Sequence, residues 1–140
     1  MNIKTKTYIS CEFARGIGDA SWAKAKELDR KVAICVVGGD GEPLVTYCHE
    51  DCEYIYAEWA LYKAKTAWFK QKCTEELGSG KLDLIRIDKS ILLMGIAGGI
   101  PLSHDEIKIG GIGVCGAPAE IDKEIGMAGK EVFVRVLRDS

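Results

Sequence analysis

The sequence predicts an α+β protein, an antiparallel sheet of about five strands flanked by helices. Three observations predict it. Apolar residues recur at helical spacing over 8–29 and 54–73. Two pairs of short β-branched or glycine-punctuated runs are each joined by turn residues. A last helical stretch follows Gly116-Ala117-Pro118. Strands joined by tight turns are hairpins, and hairpins pair antiparallel, which excludes a doubly wound parallel sheet. The 140 residues contain no repeat, low-complexity tract or shift in composition, so one domain over 1–140 is expected.

Each element has its own reason. Ile9, Phe13, Ala20 and Ala23 mark the first helix, and Gly16 and Gly18 mark a bend or a close contact within it. Residues 31–38 are β-branched and too short for a helix, and read as a buried strand. Gly39 to Pro43 turn the chain, and 44–49 return as the second strand of a hairpin. The 54–73 helix is apolar on two sides. Ala57, Ala60, Ala64 and Ala67 make a narrow small-residue face suited to close contact with a sheet. Ile55, Trp59, Tyr62, Thr66 and Phe69 lie roughly opposite and need a second cover: another element, a planar ligand or a second subunit. Thr74 to Ser79 is a loop, and 81–89 is ambiguous. Residues 91–103 read as a strand interrupted by Gly95, Gly98 and Gly99, with a turn at Ser103-His104-Asp105 before a strand over 106–115. Pro118 opens the last helix, and Glu120 and Asp122 lie in its first turn, where the helix dipole favours acids. Ile121, Ile125, Ala128, Val132 and Val136 form its expected apolar face, although the β-branched end leaves a strand open there.

Composition removes several function classes. The net charge of −2, with both signs interspersed, lacks the basic face of a nucleic-acid protein. No apolar run approaches the ~20 residues that span a bilayer, and the N-terminal residues lack an apolar signal region, so a cytoplasmic location without membrane contact is expected. The six cysteines form no C-x-x-C pair and read as reduced thiols, several of them core residues.

Few motifs carry chemistry. Gly111-Ile-Gly113-Val-Cys115-Gly116 matches G-x-G-x-x-G, but only a helix's length of chain follows, too little for a dinucleotide fold. The glycines still permit close approach of a backbone or ligand to the strand. The free N–H groups opening the last helix can hold a carboxylate or phosphate. Cys48-His49-Glu50-Asp51-Cys52 is the densest set of ligating side chains. Adjacent strand residues point to opposite faces, which weakens a shared zinc site there. His49 alone is a candidate axial ligand to haem iron, whereas His104, in a turn, reads as solvated. Lys63 lies between the two apolar faces of its helix, placed either to meet an anion or to reach water. Cys52 and Cys115 are the thiols nearest polar surroundings. With two histidines, the sequence offers no hydrolytic triad.

Taken together, Lys63-Ala-Lys-Thr66-Ala67, Gly98-Gly-Ile-Pro-Leu102 and Ile109-Gly-Gly-Ile-Gly113-Val-Cys115-Gly116, followed by Asp122, resemble the GlcG/HbpS-like haem-binding family. That family includes the C-terminal domain of PduO-type cobalamin adenosyltransferases, and the likeness runs from about Tyr8 to Phe133. The resemblance implies a profilin-like fold and self-association into dimers or larger rings, which would cover the aromatic face of the 54–73 helix. It also implies binding of haem, or in some members of flavin or corrinoid-related ligands, in proteins accessory to small-metabolite catabolism. Three positions depart from the family pattern: Gly38 replaces an Asp, His49 an Arg and Cys115 a Ser. The resulting expectation is a planar-cofactor site made by His49 as iron ligand, Lys63 as partner of a propionate, Cys115, and the backbones of Gly98, Gly99, Gly113 and Gly116. Two alternatives stand beside it: an assembly or accessory subunit with no ligand, and an enzyme acting on a small metabolite through Cys115 or Lys63.

Overall fold

Strand β1 (Ala33–Val37) is buried along its whole length and organises the protein around itself. The computed structural model describes residues 2–77, 84–87 and 91–140. In chain order they form α1 (Cys11–Glu27), β1, β2 (Pro43–Cys48), α2 (Tyr54–Lys70), a 3-10 turn (Thr74–Leu77), β3 (Leu84–Ile87), β4 (Ile91–Met94), β5 (Gly99–His104), β6 (Ile107–Cys115) and α3 (Ala119–Arg138). Four strands form an antiparallel sheet in the order β2-β1-β6-β5, and β3 and β4 form a separate antiparallel pair. The α+β class and its antiparallel pairing are as expected, with strands divided four and two rather than about five in one sheet.

The strand alternation separates two cores. Ile34, Val36, Ile112 and Val114 belong to the larger one, with Ile17 of α1 and Ile125 and Phe133 of α3. Ala33, Cys35, Val37 and Cys115 face the other way, toward Ala60 and Ala64 of α2. Fully burying each Val or Ile side chain contributes about 1.5–3 kcal/mol, so the α1/α3 side supplies most of the stabilisation. The α2 side is thin instead. A Cβ on Gly113 would stand 1.8 Å from the Ala60 carbonyl oxygen, and one on Gly111 2.3 Å from that of Ala64. The alanine face of α2 therefore lies directly on the backbone of β6, and the cover expected for that face is the sheet.

The opposite face of α2 is covered in part by β4. The Met94 N–H donates to Thr66 Oγ1 at 2.8 Å, which buries Thr66 inside the chain. Trp59, Tyr62 and Phe69 are half-buried. Helix α2 ends at Lys70, three residues early, because Gln71 adopts a left-handed conformation with φ 55°.

Three other expectations are corrected. The single strand over 91–103 is two strands in different sheets, and the chain changes sheet at Gly98, whose φ of +125° only glycine adopts easily. The β5–β6 turn centres on Asp105-Glu106, with φ 50° and 65°; both central residues are left-handed, the geometry that matches strand twist in a two-residue hairpin. The buried stripe of α3 is Asp122, Ile125, Gly126, Gly129 and Phe133, and Val136 is exposed. The glycines set that rotation: a Cβ on Gly126 would press on Ile100, and one on Gly129 on Ser21. Helix continues to Arg138, so no strand forms at the end. Of the ambiguous 81–89 segment, 84–87 is β3, and 81–83 and 88–89 lie outside the described residues. Among the described residues no helix is long and apolar enough to cross a membrane.

Candidate functional site

Lys63 is the least expected residue of α2, a lysine with its side chain 3% exposed. Its position follows from the fold. The alanine face must touch β6, so the neighbouring stripe of α2 reaches the end of that strand, and Lys63 extends along it. Its ammonium donates to the Val114 carbonyl at 2.8 Å and to Asp122 Oδ2 at 3.2 Å. Asp122, also 3% exposed, accepts the Ala117 N–H through Oδ1 at 3.0 Å. The anion that the start of α3 was expected to hold is thus supplied by its own first turn. Burial pushes the Asp122 carboxyl up to about 6, against the pull of the Lys63 charge and the N–H donors. A buried pair is costly to desolvate and is tolerated here because each member has a further hydrogen bond.

Gly98 packs against this pair. A Cβ there would stand 3.0 Å from Lys63 Nζ and 2.3 Å from the Val114 oxygen. Thr74 holds the loop in place, donating to the Ile96 carbonyl and accepting the Gly99 N–H at 2.9 Å. Above the pair opens a cavity of about 200 Å³. Tyr56, Trp59, Met94 and Ile96 form its apolar walls; Cys115 and Gly116 border the Lys63–Asp122 floor. The Tyr56 and Trp59 rings are tilted against each other at 5.7 Å. Burial raises the Cys115 thiol above its ordinary range although Lys63 is near.

Four of the expected site residues therefore come together: Lys63, Cys115, Gly116 and, beneath them, Gly98. Gly99 and Gly113 serve packing, since the space over Gly99 is filled by Thr74 and the Lys63 carbonyl, and that over Gly113 by Ala60. The close approach read from these glycines is made by a helix backbone. His49 stands on the other face of the sheet, stacked on Trp22 of α1 at 6.0 Å. Its Nδ1 accepts the Asp51 N–H at 3.0 Å, which places the proton of the neutral ring on Nε2. Its neighbour Cys48 faces α2, the opposite orientation expected of adjacent strand residues. Asp122, Tyr56 and Trp59 were not assigned to the site from sequence. The spacing of Tyr56, Trp59 and Lys63, at i, i+3 and i+7, was the available signal.

The chain is thus a small α+β protein with one helix on one sheet face and two on the other, and an aromatic-walled cavity floored by a buried ion pair. Residues 9–131 match the profile of the family described as haem degrading protein HbpS-like, and the chain belongs to the HbpS-like family. A double mutant of HbpS from Streptomyces reticuli is 27% identical, with 93% of this chain and 90% of that one covered at a TM-score of 0.82. The PduOC:heme complex is 23% identical over 90% of this chain and 95% of that one, at 0.77. ORFY from Klebsiella pneumoniae is 23% identical over 96% and 97%, at 0.80. The last two establish likeness of fold. No curated protein matches the chain.

Proposed function

We propose that the protein binds haem at the Trp59 cavity, as a self-associating accessory protein rather than an enzyme. The observation that carries this reading is the aromatic and apolar wall of Tyr56, Trp59, Met94 and Ile96 set beside a buried polar floor, the combination that a planar ligand with polar edges needs. Membership of a family described by haem degradation, and a solved haem complex of the same fold, support haem over flavin. The residues fit such a group in part. Pockets that enclose a drug-sized ligand run to about 300–1,000 Å³; the cavity, at about 200 Å³, suits one edge of a macrocycle. A second copy of the chain covers the remainder in this reading. When bound, haem would supply redox chemistry at iron; the chain would supply stacking by Trp59 and Tyr56 and a hydrogen-bonding floor at Lys63 and Asp122.

The enzyme alternative loses support at both of its residues. Lys63 is already ion-paired, and the Cys115 thiol is raised by burial, away from the reactive thiolate. An accessory place in small-metabolite catabolism is the corresponding role.

Haemin titration followed at the Soret band tests the site. Trp59→Ala is expected to weaken binding at least tenfold, about 1.4 kcal/mol, while His49→Ala leaves the spectrum and affinity unchanged. Loss of the Soret shift in His49→Ala with Trp59→Ala unaffected would move the ligand to the α1 face and overturn the reading. A saturable change with a flavin but none with haemin would replace the ligand.

A further inference from the structure

The cluster at the end of β2 is not used by the haem reading. Cys48 closes β2, and the chain then turns back on itself, the Cys52 N–H donating to the His49 carbonyl at 2.9 Å. Ala33 pairs with Cys48 on one side and with Cys115 on the other, so all three side chains leave the sheet on the α2 face. Cys52 packs into the same small cluster, and its sulfur lies 3.5 Å from where a Cβ on Gly116 would stand. The Cys48 thiol donates to the His49 carbonyl at 3.7 Å, inside the same turn that brings Cys52 back. Accessibility is graded: Cys48 is exposed, Cys52 half-buried and Cys115 buried.

We propose that Cys48 and Cys52 are a dithiol–disulfide pair, a covalent oxidation site that responds to hydroperoxides. The exposed Cys48 sulfur attacks the peroxide O–O bond and becomes a sulfenic acid, releasing an alcohol or water. Cys52 then attacks that sulfur: the S–S bond forms, the S–O bond breaks, and the Cys52 proton leaves with the departing water. Two electrons pass from the two sulfurs to one peroxide, and a dithiol reductant restores them. The turn fixes which thiol resolves the sulfenic acid. Cys52 adjoins Cys48, whereas Cys115 is two strands away across Ala33. Cys48 is exposed and Cys52 half-buried, so Cys48 meets the oxidant first.

The test is oxidation of the intact, folded chain with hydrogen peroxide, alkylation of the remaining thiols, cleavage at acidic residues and mass spectrometry. The expected product is a Cys48–Cys52 bridge, lighter by two hydrogens, resistant to alkylation and reversed by dithiothreitol. It forms equally in Cys115→Ser. In Cys52→Ser, Cys48 is expected to persist as a sulfenic acid trapped by dimedone. Recovery of both thiols alkylated, accumulation of Cys48 sulfinic acid in the unsubstituted chain, or a bridge from Cys52 to Cys115 would each overturn the assignment. None of these outcomes depends on haemin binding.

Discussion

Lys63 and Asp122 tie α2 to the start of α3 through one buried pair of side chains. Removing one partner strands the other in a dry site, so Lys63→Met alone is expected to cost about 3–5 kcal/mol. The Lys63→Met/Asp122→Leu double variant should recover most of that loss, a coupling readable from urea unfolding. The pH dependence has a definite sign. The Asp122 carboxyl is raised from 3.8 to about 6, so the folded chain holds that proton more tightly than the unfolded one. Its contribution to stability is complete below 3.8 and is lost as pH rises through about 6. Urea midpoints compared across that window should carry this downward component in the native chain and lack it in the double variant. Lys63 was legible as a candidate because a lysine inside an apolar helix needs an explanation. Its partner was not: Asp122 is 59 positions away, and spacing along a chain does not report which distant groups meet. His49 shows the complementary case. The alternation of β2, carried one residue past its end at Cys48, separates His49 from Cys48 and places it across the sheet from Lys63.

At the scale of elements, the seat of α2 on β6 is a contact between two backbones. It tolerates no side chain where a Cβ would fall 1.8 Å from a carbonyl oxygen. Gly113→Ala should therefore destabilise by about 3 kcal/mol, the upper end of the cost of overpacking. Gly16→Ala is the contrasting substitution. Gly16 is exposed within α1 with nothing within 4 Å of its would-be Cβ, so alanine should stabilise by about 0.5–1 kcal/mol through helix propensity. Thermal melts of the two variants should move in opposite directions. The alanine face of α2 was readable because it recurs at helical spacing. The true stripe of α3 was not, because Gly126 and Gly129 contribute closeness rather than hydropathy, and a reading of apolar residues alone rotates the helix toward Ala128 and Val132.

Across the whole molecule, class, antiparallel pairing, the three helices and the β1–β2 and β5–β6 hairpins were legible, since each rests on local periodicity and turn chemistry; the β3–β4 pair was not. The division of 91–104 between two sheets was not, because it depends on Thr66 and Thr74 capturing the chain on either side of Gly98. The size of the cavity yields a further expectation. If a second copy covers the exposed part of the ligand, haem affinity should fall when the protein is diluted below its association midpoint, with Soret absorbance and sedimentation changing together.

The central pairing joins 33–37 to 111–115. During synthesis β1 and β2 leave the ribosome long before β6 exists, and at about 5–20 residues per second that interval lasts several seconds. Through it one edge of an entirely apolar strand, Ala33-Ile-Cys-Val-Val37, has no partner. The nascent chain is therefore most prone to aggregate while it is still being made, and coexpression with a holdase chaperone should raise soluble yield more than any stabilising substitution on the finished surface.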